Sequence, residues 1–271
     1  MNNTTMMLMQ QLLIIGDNVK KSILIFLFTF IALSGNAYSD VEYGAERIAT
    51  TINLTQVSYC ELACLLDEES TSANAEDASP NERDRLQNGT PEIATGKFGG
   101  ARVINDADNA YFVGDESIAF SSTSHILVMG WVKSDGGNGT ILNVDTIIVL
   151  RVDGDNAQFI LDPFSTNDRV SGSTTVNDNT FHHLAGFYDG SKIYIYVDGV
   201  DDSSGGLTPT GDWGGTSTDD WTFGRLGSDE YDGATLDEMA VFSNTDDGIS
   251  TKAKIEAIIT NAFSKGLEGN G

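Results

Sequence analysis

From Val57 onward, short stretches of alternating apolar and polar residues are separated by clusters of Gly, Asp and Asn at intervals of roughly ten residues. That spacing leaves no room for helices of ordinary length and predicts an antiparallel β-sandwich or barrel. The clearest strands are expected over 101–105, 111–113, 126–132, 147–152, 158–161, 182–188, 192–197, 221–225 and 235–242. Asp153-Gly154-Asp155-Asn156 and Asp189-Gly190-Ser191 supply the turn chemistry between two pairs of them. In Ile193-Tyr194-Ile195-Tyr196-Val197 the period is two, so the aliphatic side chains share one face and the tyrosines the other. Only the C-terminus carries a helical period. Ile255, Ile258, Ile259, Ala262 and Phe263 fall on one helix face, with Ser250 as the expected N-cap and Gly266 as the stop.

The chain has 40 acidic residues against 15 basic ones, a net charge of −25. Such a balance excludes nucleic acid as a partner, because phosphate recognition needs a basic patch, and disfavours anionic membranes. It permits cation binding. Lys20 and Lys21 precede an apolar run over 23–33 and the small-residue site Gly35-Asn36-Ala37. This is the pattern of a secretory signal peptide spanning 1–37, with a compact version beginning at Val19 as an alternative start. The run is far shorter than the ~20 residues a transmembrane helix needs, so no transmembrane segment is expected after leader cleavage. The predicted organisation is a leader, a lead-in over 38–56, a single domain over 57–266 and a tail over 267–271. The protein is expected to be secreted, periplasmic or at the cell surface. Cys60 and Cys64 are the two cysteines. Export favours a disulfide, whereas an extended strand would hold an i, i+4 pair roughly 13 Å apart, beyond bonding reach. Both readings stand on the sequence.

Four stretches in order resemble the laminin-G-like jelly-roll domain of the concanavalin A-like lectin/glucanase superfamily. They are Leu65-Leu66-Asp67-Glu68-Glu69 continuing to Ala75-Glu76-Asp77-Ala78-Ser79-Pro80-Asn81, then Gly96-Lys97-Phe98-Gly99-Gly100-Ala101. The third is Phe181-His182-His183-Leu184-Ala185 with Tyr188-Asp189-Gly190 and Tyr196-Val197-Asp198-Gly199. The fourth is Asp232-Gly233-Ala234-Thr235-Leu236-Asp237-Glu238-Met239-Ala240-Val241-Phe242. The resemblance implies an all-β, two-sheet antiparallel jelly-roll β-sandwich with a short C-terminal α-helix. It also implies a calcium ion (Ca2+) tying the opening loop to the closing strand, with Asp77, Asn81, Asp237 and Glu238 as the matching ligands. Calcium takes six to eight oxygens, and these residues supply carboxylate and amide oxygens. On a regular strand Asp237 and Glu238 would face opposite ways, so only one would reach a shared ion. The other reading is of solvated acids, or of a buried pair fixing a turn. Phe181 stands where the family commonly has Trp, and Glu82 and Arg83 replace glycines that follow the Asn81 position.

Superfamily members include lectins, adhesion modules and enzymes, so the fold does not decide function. Glucanases of the superfamily set carboxylates at alternate positions on one strand. No such run occurs here; Glu230 and Asp232 are two apart but lie in a Gly-rich stretch. His125, His182 and His183 are the histidines and read as structural. No catalytic residues are assigned. Trp213, in Gly211-Asp212-Trp213-Gly214-Gly215, and Tyr231 are the aromatic side chains placed to stack on a sugar, although Trp213 would serve equally as a plug folding back on the sandwich. Trp131 and Trp221 alternate with apolar neighbours and are expected in the core. The leading expectation is a binding module for carbohydrate or an extracellular protein, acting in adhesion or polysaccharide capture. The alternatives are an extracellular structural subunit and a glycan-cleaving enzyme.

Overall fold

The computed structural model describes residues 53–71, 73–105, 109–114, 119–120, 125–144, 147–161, 168–210, 215–216, 221–226, 229–231, 233–243 and 249–269. The chain divides into a unit over 1–49, which lies outside the described residues together with the expected leader, and a compact unit over 50–271.

The compact unit begins with a 3-10 turn, Leu54–Gln56, capped by Asn53. The strands follow as β1 (Cys60–Cys64), β2 (Leu86–Asn88), β3 (Glu92–Thr95), β4 (Gly100–Val103), β5 (Tyr111–Gly114) and β6 (Ala119–Phe120). Next come β7 (Ile126–Lys133), β8 (Gly139–Val144), β9 (Ile148–Asp153), β10 (Asn156–Leu161), β11 (Arg169–Thr175) and β12 (Phe181–Tyr188). After these are β13 (Ile193–Val197), β14 (Val200–Asp201), β15 (Gly215–Thr216), β16 (Trp221–Phe223), β17 (Arg225–Leu226), β18 (Asp229–Glu230) and β19 (Thr235–Ser243). Helix α1 (Lys252–Lys265) closes the chain.

Two antiparallel sheets carry the fold. The larger runs β14-β13-β12-β7-β19-β4-β3, with β1 also paired to β19; the smaller runs β11-β10-β9-β8-β16-β5-β2. Their facing sides are apolar because alternate residues of each strand point inward. Val128, Leu184, Ile195 and Val241 of the larger sheet share one buried cluster with Leu142, Leu150, Phe159 and Phe223 of the smaller. Trp221 is fully buried with them, and Trp131 is buried in the larger sheet.

The larger sheet is covered on its other face too. There Leu127, Met129, Phe187, Tyr194, Tyr196 and Phe242 pack on Ile255, Ile258, Ile259 and Ala262 of α1. The tyrosines of β13 therefore face the helix and its isoleucines face the second sheet, as the period of two requires. Lys252 of the helix sits 4.2 Å over the Tyr194 ring and 3.2 Å from Asp201. Thr251, one residue beyond the expected Ser250, is the N-cap, and Gly266 ends the helix at φ 73°. Leu54 and Leu267 belong to this second cluster, so packing extends slightly past 57–266 at both ends.

β1 decides the cysteine question. Its register on β19 shifts between Cys60 and Leu62, which turns Cys60 toward the helix-side cluster and Cys64 toward the core between the sheets. Both are free, buried thiols on an extended strand, so the disulfide reading is corrected. Burial pushes the Cys60 and Cys64 thiols up, which leaves them unreactive.

Sheet spacing leaves particular positions no room for a side chain. A Cβ on Gly186 of β12 would lie 2.2 Å from Cδ2 of Phe159 in the opposite sheet and 2.9 Å from its Cβ. Because that ring's own Cβ is also in contact, rotation cannot clear it. Gly186→Ala should cost about 1–3 kcal/mol by overpacking. That is a fall in Tm of about 2–4 °C per kcal/mol for a domain of this size, read by calorimetry; an unchanged Tm would mean the sheets are not apposed there.

Candidate functional site

β19 carries one residue more than its partner. Asp237 pairs with Trp131 of β7 and Ala240 with Met129, so Glu238 and Met239 together oppose Gly130. Glu238 takes up the extra residue at φ 49°, an uncommon conformation for a side chain of its size and one that β-bulges use to re-aim side chains. Gly130 leaves room for the bulge, since a Cβ there would lie 2.4 Å from Sδ of Met239. Strand alternation is broken at this point. Asp237 and Glu238 consequently turn toward the helix side together, rather than to opposite faces.

Each carboxylate is held by backbone N–H groups. Lys97 and Phe98 donate to Oδ2 of Asp237 at 2.7 and 3.0 Å. Leu267 donates to both oxygens of Glu238 at 3.2 and 3.1 Å. The link that presents Lys97 and Phe98 must approach closely: a Cβ on Gly96 would lie 2.5 Å from Oδ2 of Asp237. Oδ1 of Asp237 is buried and has no partner among the described residues. Burial pushes the Asp237 carboxyl up to about 7, partly opposed by the Phe98 and Lys97 N–H groups and increased by Asp67. Burial, then the Asp237 charge, pushes Glu238 up to about 8.

Asp67 completes this cluster, and the sequence reading passed over it. It follows β1, accepts a short hydrogen bond from the Gly100 N–H, and adds repulsion to both buried acids. The available signal was its place at the head of the Asp67-Glu68-Glu69 run directly after an apolar strand. Asp67, Glu238 and Glu268 line one cavity of about 350 Å³, together with Leu65, Lys97, Phe98, Gly99 and Lys265. Behind Phe98, Trp131 stacks on Phe263 of α1 with centroids 5.6 Å apart, and Lys97 Nζ lies 4.9 Å over the indole. His183, also against Trp131, is kept neutral, its pKa lowered to about 4 by burial.

Asp77 and Asn81 do a different job. The Asp77 carboxylate accepts four hydrogen bonds: from Ala63 N and Ser79 N at 2.9 Å, Ser79 Oγ at 2.7 Å and Arg83 N at 2.8 Å. Asn81 donates its amide to the carbonyls of Cys60 and Glu61. Both residues knot the opening loop onto β1. Among the described residues no three of His, Cys, Asp and Glu are grouped to hold a metal ion.

Of the two expected sugar-stacking aromatics, Tyr231 is 1% exposed. Its ring fills the space over Gly139, where a Cβ would lie 2.0 Å from the ring, and its hydroxyl donates to Asn177 Oδ1 at 2.8 Å. The expectation of an exposed Tyr231 is corrected: the residue itself is pinned inward by its N–H donating to Gly224 O. Trp213 lies outside the described residues, as does Asp232. The residues flanking 211–214 are described. Thr210, just before it, donates its N–H to Oδ1 of Asp168 at 2.7 Å. Asp168 is fully buried, its Oδ2 has no partner among the described residues, and it directly follows the 162–167 segment. One carboxylate thus joins the residue that follows 162–167 to the residue that precedes 211–214.

Comparison with known proteins places this architecture. A family model described as the concanavalin A-like lectin/glucanases superfamily, of laminin G type, matches residues 105–245. The binding domain of paraclostridial Mosquitocidal Protein 1 is similar with a TM-score of 0.57 at 13% identity, covering 76% of this chain and 52% of that one. Domain 4 of AbnA, a GH43 extracellular arabinanase from Geobacillus stearothermophilus solved in complex with arabinotriose, is similar at TM-score 0.53 and 17% identity, covering 74% of this chain and 96% of that one. A structure of botulinum neurotoxin type C, whose cell entry depends on two ganglioside molecules, is similar at TM-score 0.55 and 12% identity, with coverage of 76% and 51%. The chain thus spans about half the length of the two toxin structures. At these identities the likeness concerns the fold. Curated proteins gave no match.

The raised carboxyls give a signed pH dependence. Unfolded, Asp237 ionises near the ordinary aspartate value of 3.8; folded, it holds its proton up to about 7. Metal-free stability should therefore fall as pH rises through that window and level off above it, with Glu238 extending the fall toward 8. His183 works the other way below the ordinary histidine value of 6.5, so the clean measurement is the difference between wild type and Asp237→Asn. Urea unfolding at pH 5 and pH 8 in EGTA should show the variant losing less stability than wild type over that interval. Equal losses would mean Asp237 titrates as an ordinary exposed acid.

Proposed function

The chain belongs to the concanavalin A-like lectin/glucanases superfamily, and from that premise we propose that it is an exported, non-catalytic module that binds carbohydrate through loops at the sandwich edge. The observation that carries this reading is the Asp168–Thr210 bond. It fixes Thr210, just before the segment that the sequence predicts to be the Trp213 loop, and a rigid scaffold under such a loop lowers the entropy cost of binding. An exposed Trp213 indole, as the sequence predicts, would stack on the C–H face of a pyranose or furanose. The arabinanase domain with its arabinotriose and the toxin with its gangliosides support carbohydrate as the ligand class. The apolar run over 23–33 supports export. Among the described residues no helix is long and apolar enough to cross a membrane.

The calcium that the resemblance implies does not fit these residues. Among the described residues no three of His, Cys, Asp and Glu are grouped to hold an ion, and Lys97 and Lys265 already line the cavity beside Asp67, Glu238 and Glu268. Both oxygens of Glu238 accept from Leu267 N, and the polar groups of Asp77 and Asn81 are committed to β1.

Two measurements test this. A glycan array followed by calorimetry on the best hit should show binding that Trp213→Ala weakens by about tenfold or more, as loss of an aromatic anchor does. A folded protein that retains no glycan in either calcium or EGTA would refute the carbohydrate reading, and capture of an extracellular protein would replace it. Tm measured in calcium and in EGTA should agree; a calcium-specific rise of roughly 5–10 °C, the effect of an ion at about a hundredfold over its Kd, would restore the calcium reading.

A further inference from the structure

Where the resembling fold implies an ion between the opening loop and the closing strand, this chain presents a guanidinium. Arg102 lies on β4, paired with Leu236 of β19, and cross-strand partners point to the same side. Leu236 belongs to the core between the sheets, so the Arg102 side chain enters the sandwich from β4 and is fully buried there. A guanidinium keeps its charge when buried, and the cost of taking it out of water is offset only by acceptors in good geometry. Three oxygens of the opening loop supply them. Nη1 donates to Ser70 O at 2.8 Å; Nη2 donates to Glu68 O at 2.6 Å and lies 3.3 Å from Glu68 Oε2. Two main-chain carbonyls and one carboxylate are the kind of oxygen set that a hard cation gathers from a loop. We propose that Arg102 is the built-in cation of this module: it orders the opening loop against the larger sheet and leaves that loop with no need of a divalent ion. This deepens the mismatch with calcium described above and does not depend on which ligand the module binds.

The loop is built around that contact. Glu68 turns its other oxygen, Oε1, to the Glu76 N–H at 2.8 Å, so one side chain links Arg102 to the far side of the loop. Ser70 O also accepts from Ala73 N at 3.1 Å. Asp77 and Arg83 close the other end. The Arg83 N–H donates to Asp77 Oδ2 at 2.8 Å, while its guanidinium lies 3.0 Å from Glu61 Oε2 and donates to Glu61 O at 3.2 Å. Glu61 Oε1 in turn accepts from Ser243 Oγ at the end of β19. Arg83 occupies one of the positions where the resembling family has glycines, so that departure brings a second fixed positive charge to the loop. The tie that an ion would make in one step is made here by two arginines, one through β4 and the other through β1. The loop's acids are committed accordingly, Glu68 to Arg102 and Asp77 to N–H and O–H donors of the chain itself.

Hydrogen exchange of the full chain, read by mass spectrometry, tests the assignment. In the wild type, exchange over 73–78 should be the same in calcium and in EGTA. Arg102→Met keeps an unbranched side chain and removes the charge. It should speed exchange over 73–78 by about tenfold or more relative to the β12–β13 hairpin, the usual effect of losing hydrogen bonds to a charged group, with Arg102→Lys falling between. Should Arg102→Met fail to fold, Glu68→Gln breaks the same contact from its less buried side and should raise exchange over 73–78 by about threefold or more. Arg151→Ala, which removes an arginine paired with Asp153 on β9, should leave the loop unchanged. Loop protection that rises in calcium would overturn the proposal, because an ion would then be doing the ordering. Unchanged protection in a folded Arg102→Met or in Glu68→Gln would overturn it too, since packing alone would hold the loop. Either result leaves the carbohydrate reading standing, and loss of glycan binding with the loop intact touches that reading alone.

Discussion

β19 lies in the middle of the larger sheet, between β7 on one side and β1 and β4 on the other, and it carries one more residue than β7 can pair. That surplus has to go somewhere. It is taken up at Glu238, which adopts a left-handed backbone and turns its carboxylate to the same side as that of Asp237. Two acids are thereby buried next to each other, a costly arrangement unless they are paired or neutralised. Much of the surrounding structure answers that cost. The Gly96–Gly100 link brings two N–H groups to Asp237, and the residue after the helix brings one to Glu238. Gly96, Gly130 and Gly266 are the positions where any side chain would collide with this arrangement.

The sheets were legible in the sequence because burial on one face imposes a period that no other structure shares. β13 is the plainest example, its isoleucines and tyrosines dividing between two clusters as the alternation demands. β8 escaped notice because it starts on Gly139, and a bulge between Thr140 and Leu142 breaks its alternation. β2 and β3 escaped because they are short edge strands with exposed side chains, so burial imprints no pattern on them. Between these strands and β1, the polar opening loop is organised by carboxylates accepting backbone N–H groups, which leaves no periodic trace at all.

The site was legible only in part, for the same reason. Asp237 and Glu238 stand out as acids beside an apolar run, yet nothing in Leu236-Asp237-Glu238-Met239 announces a bulge. A regular strand would have separated them. Tyr231 misled because Gly-rich flanks read as an exposed loop, whereas Gly139, distant in sequence, makes the space into which the ring is drawn. Asp67 was hidden by its neighbours, since three acids in succession look alike until one of them is placed against Gly100. Side-chain partnership at long sequence separation is what the one-dimensional pattern omits.

Acidity by itself points nowhere in this chain, and the bonding shows why. Asp178, Asp189, Asp198, Asp201 and Asp202 each accept a backbone N–H at a turn or strand end, as Asp77 does in the opening loop. Asp suits that task because its short carboxylate reaches an N–H two residues along, so an all-β protein with many turns accumulates aspartates for structural reasons. Among the described residues, the carboxylate oxygens left buried without a partner belong to Asp168 and Asp237. Asp168 is bonded to Thr210, and Asp237 sits at the bulge facing the helix exit. A missing hydrogen bond discriminates between positions far better than a high density of charge, because burying an acceptor unmade costs about 1–3 kcal/mol.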